Sequence, residues 1–235
     1  MKQAITLAGQ PLSCVVKKSK GGRIRLSFDE AGSLVVHTPT GRLDEAMPFL
    51  QGKARWVLRH AGRQQQAQAA ARQYQAQLHL QASLLGTTRQ IQLLDAPSPR
   101  YRLAGPVLQV WAPAHYHAQP KPLLRYALRR LADNYLKQRT QELAAHTGNQ
   151  PNQIRVKSHS SKWGSCSSKR NLNLNWHLIL FDKMVIDYVI LHELMHLREM
   201  NHSPRFWAHV AHYMPHYKAA IRILQAETWK IGIYD

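Results

Sequence analysis

Cysteine is nearly absent from this chain: 235 residues contain two, Cys14 and Cys166, far apart in sequence. Two distant thiols make no disulfide framework, and they fit a reduced, cytoplasmic setting. Long apolar runs are also missing. No stretch approaches the roughly 20 residues of a membrane-spanning helix, so no membrane partner is expected. The opening MKQAITLAGQPLSCVVKK has no apolar run of the kind a secretory leader needs. Acidic residues are scarce, with 13 Asp and Glu against 32 Lys and Arg and a net charge of +19. That imbalance attracts polyanions, so nucleic acid and nucleotides join the candidate partners, although no known nucleic-acid-binding motif is visible. What is present in quantity is apolar side chain, 44% of the total, enough for a folded core and against wholesale disorder.

RIRLSFDEAGSLVVHTP alternates apolar and polar residues around DEAG, which predicts a β-hairpin. Residues 41–78 read as one long helix, with Asp44 and Glu45 at its start and Phe49, Trp56, Val57 and His60 at helical spacing. Its Gln/Ala-rich second half has a weak apolar face and reads as solvated. QIQLLD and VLQVWAP are strand candidates. PAHYHAQPKP, rich in proline, marks a boundary, so the chain divides into a β-rich region with one long helix, 1–115, and a second domain, 116–235. The H-x-H pair His115 and His117 reads as loop. From Leu123 onward Leu124, Leu128, Leu131, Tyr135 and Leu136 mark an amphipathic helix ending near Gly148, with Arg125, Arg129 and Arg130 between them. IRVKSHSSKWGSCSSKRNLNLNWHLILF predicts a strand, a turn at SSKRN and a second strand through LNLNWHLILF. MVIDYVILHELMHLREM predicts a helix, SPRFWAHVAHYM another with Ser203 as cap and Pro204 as first residue, and Pro215 opens a last one to about Lys230. No internal repeat is visible. The fold class is α+β.

His192, Glu193 and His196 spell H-E-x-x-H. On a helix, positions four apart share a face, so both imidazoles can grip one zinc ion, and Glu193 can reach a metal-bound water without being a ligand. The motif lies among Val189, Ile190, Leu191, Leu194, Met195 and Leu197. Buried imidazoles and a carboxylate need partners, and a metal supplies them. A hydrolytic zinc site takes a third protein ligand and leaves one position open. Two candidates follow, Glu199 and His202. H-E-x-x-H-x5-H is the spacing of the metzincins, where a glycine turns the chain back, but Glu199 stands at that glycine position here. Asn201 tolerates the left-handed conformation that ends helices, and Ser203-Pro204 starts a new one. His202 is therefore favoured, with Glu199 behind a histidine, orienting it.

SKWGSCSS, NLNWHLIL, DYVILHELMHLREMNHSPRFW and MPHYKAAIRIL together resemble the YgjP-like metallopeptidase family, which is related to the SprT-like and WLM zinc peptidases. RIRLSF, ARWVL and LLG extend the resemblance over nearly the whole chain, and the Gln-rich stretch 64–77 looks like a lineage-specific extension. The resemblance implies a zincin-like domain whose metal-binding helix packs beside a small sheet. It implies His192, His196 and His202 as ligands of one zinc ion, with another divalent metal as the alternative, and Glu193 as catalytic base. It also implies that residues 163–166 lie close to the site. Members of the family have been described both as peptidases and as nucleotide pyrophosphatases.

Around the motif, His159, Lys162 and Ser165 are candidates to steady a developing oxyanion. Cys166 reads as a buried, inert thiol rather than a fourth ligand. Phe206 and Trp207 read as packing, and His209 and His212 as outside the ligand set. Asp187 either orients a ligand or caps. Three functions follow. One is a zinc metallopeptidase acting on peptide or protein through a Glu-activated, metal-bound water. The second is a metal-dependent nucleoside-triphosphate pyrophosphatase that uses Lys162, Lys169 and Arg170 to clamp phosphates. The third is a nucleic-acid-associated protein with a protease-like site.

Overall fold

The computed structural model of the chain describes residues 2–19, 21–29, 33–77, 81–118 and 120–234. It is α+β and divides into two compact units, Met1–Ala70 and Ala71–Asp235. In the first unit, β1 (Lys2–Leu7), β2 (Gln10–Lys18), β3 (Arg25–Phe28) and β4 (Leu34–Thr38) form a sheet of order β1-β2-β4-β3. Its central pair is parallel and its outer pairs antiparallel. β3 and β4 are the predicted hairpin; residues 30–32 of its DEAG turn lie outside the described residues. A 3-10 turn at Asp44–Ala46, helix α1 (Met47–Gly52) and helix α2 (Ala54–Gln77) follow. The single long helix predicted from 41 is thus interrupted at Lys53, next to Gly52, a poor helix former. Leu50 and Val57 are buried with Leu7, Cys14, Leu34 and Val36 to make the core, whereas Gln65 and Gln66 further along α2 are exposed.

The second unit begins with β5 (Gln81–Leu84), β6 (Thr87–Asp95), β7 (Arg100–Ala104) and β8 (Val107–Ala112), followed by helix α3 (Pro120–Thr147). A smaller sheet, β9 (Gln153–Lys157), β10 (Gly164–Cys166) and β11 (Asn171–Asn175), has order β10-β11-β9 and leaves β10 at its edge. Helices α4 (Lys183–Met195), α5 (Pro204–Tyr213) and α6 (Tyr217–Ala226) complete it, with a 3-10 turn at Thr228–Lys230. Leu84, Leu108 and Val110 of the first sheet are buried in one core with Leu124 and Leu128 of α3 and Ile190 of α4. Compactness therefore places the strands between 81 and 112 with the C-terminal helices. The alternation of LNLNWHLILF predicts a ten-residue strand, but β11 stops at Asn175 and Trp176–Leu180 is a 3-10 turn. Asn175 ends the strand because its side-chain oxygen accepts the backbone N–H of His177 at 3.2 Å. α6 starts at Tyr217, two residues after Pro215.

The two units share a topology that the sequence hides, so the reading of no internal repeat is corrected. β5-β6-β8-β7 has the strand order and directions of β1-β2-β4-β3. The registers coincide as well. Cys14 pairs with Leu34 and Lys18 with Thr38 in one unit; Ile91 pairs with Leu108 and Asp95 with Ala112 in the other. Arg25 faces His37, and Arg100 faces Trp111. Past the strand ends, Ser19 N–H donates to Thr38 O and Ala96 N–H to Ala112 O. Each first hairpin turns on two residues of positive φ, Ala8 and Gly9 at 46° and 78°, Leu85 and Gly86 at 54° and 80°. The repeat escapes the eye because only scattered equivalent positions keep their residue, as Arg25 and Arg100 or Leu34 and Leu108 do, while others change type, as Lys18 and Asp95 do.

The second copy of that turn also carries a packing duty. Leu85 N–H donates to Ile179 O at 3.0 Å, and a Cβ on Gly86 would sit 2.7 Å from the Cβ of Asp182, the cap of α4. A Cβ on Gly9 would meet nothing within 4 Å. Both substitutions carry the left-handed backbone cost of about 1–2 kcal/mol. Gly86→Ala is therefore expected to destabilise its unit clearly more than Gly9→Ala destabilises its own. Thermal unfolding of the two variants checks this, and equal losses would contradict it.

Candidate metal centre

α4 is apolar nearly all round, and Val185, Ile186, Val189, Ile190, Leu191, Leu194 and Met195 are buried. Asp182 caps it, accepting the backbone N–H of Val185 at 3.0 Å. The spacing predicts a helix to Met200, yet regular helix ends at Met195, with His196 as its cap. The last turn tightens: Leu197 N–H donates to Leu194 O and Arg198 N–H to Met195 O. Arg198 reaches across to the end of α3, donating from Nε to Asn149 Oδ1 at 2.8 Å and from a terminal nitrogen to Thr147 O at 2.9 Å. A guanidinium suits the electron-rich carbonyl end of a helix, so this clamp favours the early stop. Asn201 does not adopt the left-handed conformation; among the described residues only Ala8, Leu85 and Arg170 do so without being glycine. Its side-chain oxygen instead accepts Ser203 N–H at 3.2 Å, and Ser203 Oγ accepts Phe206 N–H at 3.3 Å to open α5.

This turn brings His202 back beside the two histidines of α4. The ligand-capable atoms of His192, His196 and His202 lie within 4.8 Å of one another, with Nε2 of His202 3.0 Å from Nε2 of His192. The rings are held from behind. His196 Nδ1 lies 3.0 Å from the backbone carbonyl of Glu199, and His192 Nδ1 lies 3.4 Å from the Tyr188 hydroxyl. Such partners leave Nε2 facing the cluster. Buried Phe206 touches all three imidazoles at centroid distances of 4.9, 4.6 and 4.8 Å, and Trp207 stacks on His202. Glu199 thus orients a histidine through its main chain, and its carboxylate is not among the clustered groups. Burial, then the neighbouring imidazoles, pushes His192 down to about 3, and burial lowers His196 too. Neutral imidazoles are the form that ligates a metal.

Glu193 is buried beside this cluster, and its Oε2 has no hydrogen-bond partner. Burial raises its carboxyl from 4.5 to about 8, against the pull of Lys162. β10 makes room for it: a Cβ on Gly164 would lie 2.6 Å from Glu193 Oε1. Cys166, two residues along, has a thiol pushed up to about 11 by burial and by Glu193, so it stays protonated. Ser165 alternates to the other face of the strand, where its Oγ accepts the side-chain amide of Asn173 at 3.2 Å. The loop before β10 is fixed by buried Asn175, which donates from Nδ2 to the carbonyls of His159 at 2.9 Å and Lys162 at 3.1 Å. His177 braces Asn175, and Gly232 N–H donates to His177 Nε2. His159 keeps its Nε2 buried without a partner, and burial, then Lys162 and Lys157, lowers its pKa.

Of the other sequence candidates, Asp187 forms a two-pronged ion pair with Arg139 of α3 at 2.7 and 2.8 Å. Arg170 spends its guanidinium on Gln150 O at 2.9 Å. His115 sits in a 3-10 turn with His117 as its cap, and His209 and His212 are on α5; none joins the cluster. Sequence reasoning missed Tyr188, Asn175 and Arg198. Only Tyr188 had a readable signal, lying four residues before His192 on the same helix.

A family profile described as YgjP-like, metallopeptidase domain, matches residues 22–227. The chain belongs to the YgjP-like family. Two solved structures are similar over a smaller part of the chain. One is the metallopeptidase zymogen of abylysin from Pyrococcus abyssi, at 21% identity and a TM-score of 0.35, covering 38% of this chain and 91% of that one. The other is the metallopeptidase zymogen of jannalysin from Methanocaldococcus jannaschii, at 28% identity and a TM-score of 0.35, covering 38% and 94%. No individually curated protein matches. A YgjP-like metallopeptidase domain is a metal-dependent one, and the cluster on α4 and its following turn is where the described residues could hold an ion.

The buried carboxyl makes a signed expectation for the metal-free protein. Between 4.5 and about 8 the unfolded chain ionises at Glu193 while the folded chain stays protonated. The stability this group lends is therefore whole below 4.5 and lost as pH rises to about 8. Glu193→Gln should gain stability relative to the wild type across that window and show no gain below it. Melting curves of both proteins in excess chelator, taken across pH, check the sign.

Proposed function

We propose that the chain is a zinc-dependent metallopeptidase, with its hydrolytic site in the unit Ala71–Asp235, acting on peptides or proteins in a reduced, cytoplasmic compartment. The observation that carries the reading is the convergence of three imidazoles beside a buried carboxylate oxygen that has no partner. His192, His196 and His202 are the residues that would hold one zinc ion, since three neutral nitrogen donors suit zinc. When bound, the ion supplies a Lewis acid that polarises the scissile carbonyl and acidifies water. Glu193 Oε2 takes a proton from the attacking water and delivers it to the leaving amine. Gly164 leaves the space in which that carboxylate sits. In this reading His159, whose buried Nε2 has no partner, and Lys162 of the loop before β10 steady the oxyanion, and Ser165, turned to the opposite face, takes no part.

No observation favours the nucleoside-triphosphate reading. Arg170 is engaged elsewhere, and the cluster holds no carboxylate of the kind magnesium takes. No helix among the described residues is long and apolar enough to cross a membrane.

Glu193→Gln is expected to bind zinc like the wild type and to lose peptide hydrolysis by a factor of about 10²–10⁴. Elemental analysis and a fluorogenic peptide library measure the two properties together. Zinc-loaded wild type that cleaves no peptide faster than Glu193→Gln would overturn the reading. A second variant, Gly164→Ala, should keep its zinc and lose turnover, because its Cβ would occupy the place of Glu193 Oε1. Unchanged activity in that variant would show that Glu193 is not used where it lies.

A further inference from the structure

The outer face of α1 and α2 has a composition that the metal centre does not explain. Phe49, Lys53, Trp56, His60 and Arg63 fall four, three, four and three residues apart, a spacing that keeps one helical face. The break at Lys53 does not end this face, because Lys53 N–H donates to Phe49 O and Val57 N–H to Lys53 O, both four residues back. The opposite face, with Leu50, Ala54, Val57 and Ala61, is buried in the core of the unit. Phe49 is 39% and Trp56 41% exposed, and Trp56 is the one tryptophan of six that is left exposed. Its ring is braced on His60 at 4.3 Å and on Phe28 of β3 at 6.3 Å, so it is a fixed plate rather than a loose side chain.

A row of cations runs alongside. Arg55, Arg59 and Arg63 are exposed and four residues apart. Residues 46–94 contain no Asp or Glu, so α2 carries its arginines without a single acidic residue of its own. Among the described residues none of the three is ion-paired. An ordinary solvated helix balances its charges three or four residues apart. This one stacks like charge along a row and sets aromatic plates next to it. Aromatic plates that accept any base, beside a track of cations for the phosphates, are what binds single-stranded nucleic acid without sequence preference.

We propose that this face of the N-terminal unit binds single-stranded nucleic acid, with phosphates on Lys53, Arg55, Arg59 and Arg63 and bases stacked on Phe49 and Trp56. An acidic polypeptide would use the cations but gain nothing from the plates, and a duplex keeps its bases away from them. The site is independent of the metal centre, so it stands whether or not the chain is a peptidase.

Fluorescence anisotropy of the full-length protein with labelled oligothymidine and oligouridine of about 20 nucleotides, at about 50 and 200 mM salt, tests it. Binding should weaken with salt, and Trp56→Ala should weaken it about ten-fold, while Trp56→Phe keeps most of it. Arg55→Ala with Arg59→Ala should lower the salt slope by roughly 1.4, about 0.7 for each phosphate of a single strand that is no longer neutralised. Comparison of the two oligomers shows whether DNA or RNA is preferred, and either preference supports the proposal. Trp56→Ala at wild-type affinity, with its fold verified by circular dichroism, would overturn it. So would duplex bound as tightly as single strand, or polyglutamate that displaces the oligomers at equal charge.

Discussion

The backbone carbonyl of Glu199 facing His196 Nδ1 at 3.0 Å is the constraint on which the rest of the site turns. That hydrogen bond exists only because the helix has already stopped: in continued helix, the carbonyl of Glu199 would point along the axis toward the following turn. The stop is held from outside, by Arg198 reaching the end of α3 and by the tightened bonds after Leu194. Once the chain leaves the axis, Asn201 and Ser203 use their side-chain oxygens to satisfy the backbone of the new helix start. His202 lies between these two fixed points. Three imidazoles meet because one helix ends where its sequence would let it continue.

The same economy of space governs Glu193. A carboxyl with an unpartnered oxygen inside a protein is costly, and burial answers by holding it protonated until about pH 8 in the metal-free state. Gly164 supplies the volume, and the strand's alternation then sends Ser165 away and puts Cys166 on the carboxyl's side. Asn175 does double duty, ending β11 and pinning the carbonyls of His159 and Lys162. A sheet edge, a loop and a helix are thereby set around one carboxylate by a few polar contacts in an otherwise apolar core.

Much of this was open to reading from sequence, and the pattern of success is physical. H-E-x-x-H and the cap at Ser203 are local signals, set by residues within four positions of one another. α3 and most strands show their periodicity plainly. What stayed hidden depends on partners far along the chain. The early end of α4 rests on Thr147 and Asn149, and the role of Glu199 lies in its main chain, which no side-chain pattern encodes. Asn201 turns the chain by a side-chain hydrogen bond, where the residue type alone suggests a left-handed backbone. β11 looks like a longer strand because a 3-10 turn of Trp176–Leu180 buries residues that alternation cannot distinguish. The duplicated strand order of the two units shows in the register, since only scattered equivalent positions, such as Leu34 and Leu108, keep their residue.

The central claim is that the metal is held by three imidazoles, with His202 returned by the turn after α4. X-ray absorption at the zinc edge of the loaded protein tests it most directly. Three histidine ligands and one open position should give about three imidazole nitrogens at 2.0–2.1 Å and one light oxygen scatterer from solvent. A sulfur scatterer at about 2.3 Å would put Cys166 in the ligand set. A spectrum that fits two imidazoles with a protein carboxylate would put Glu199 there instead. Either would rule out the three-histidine site.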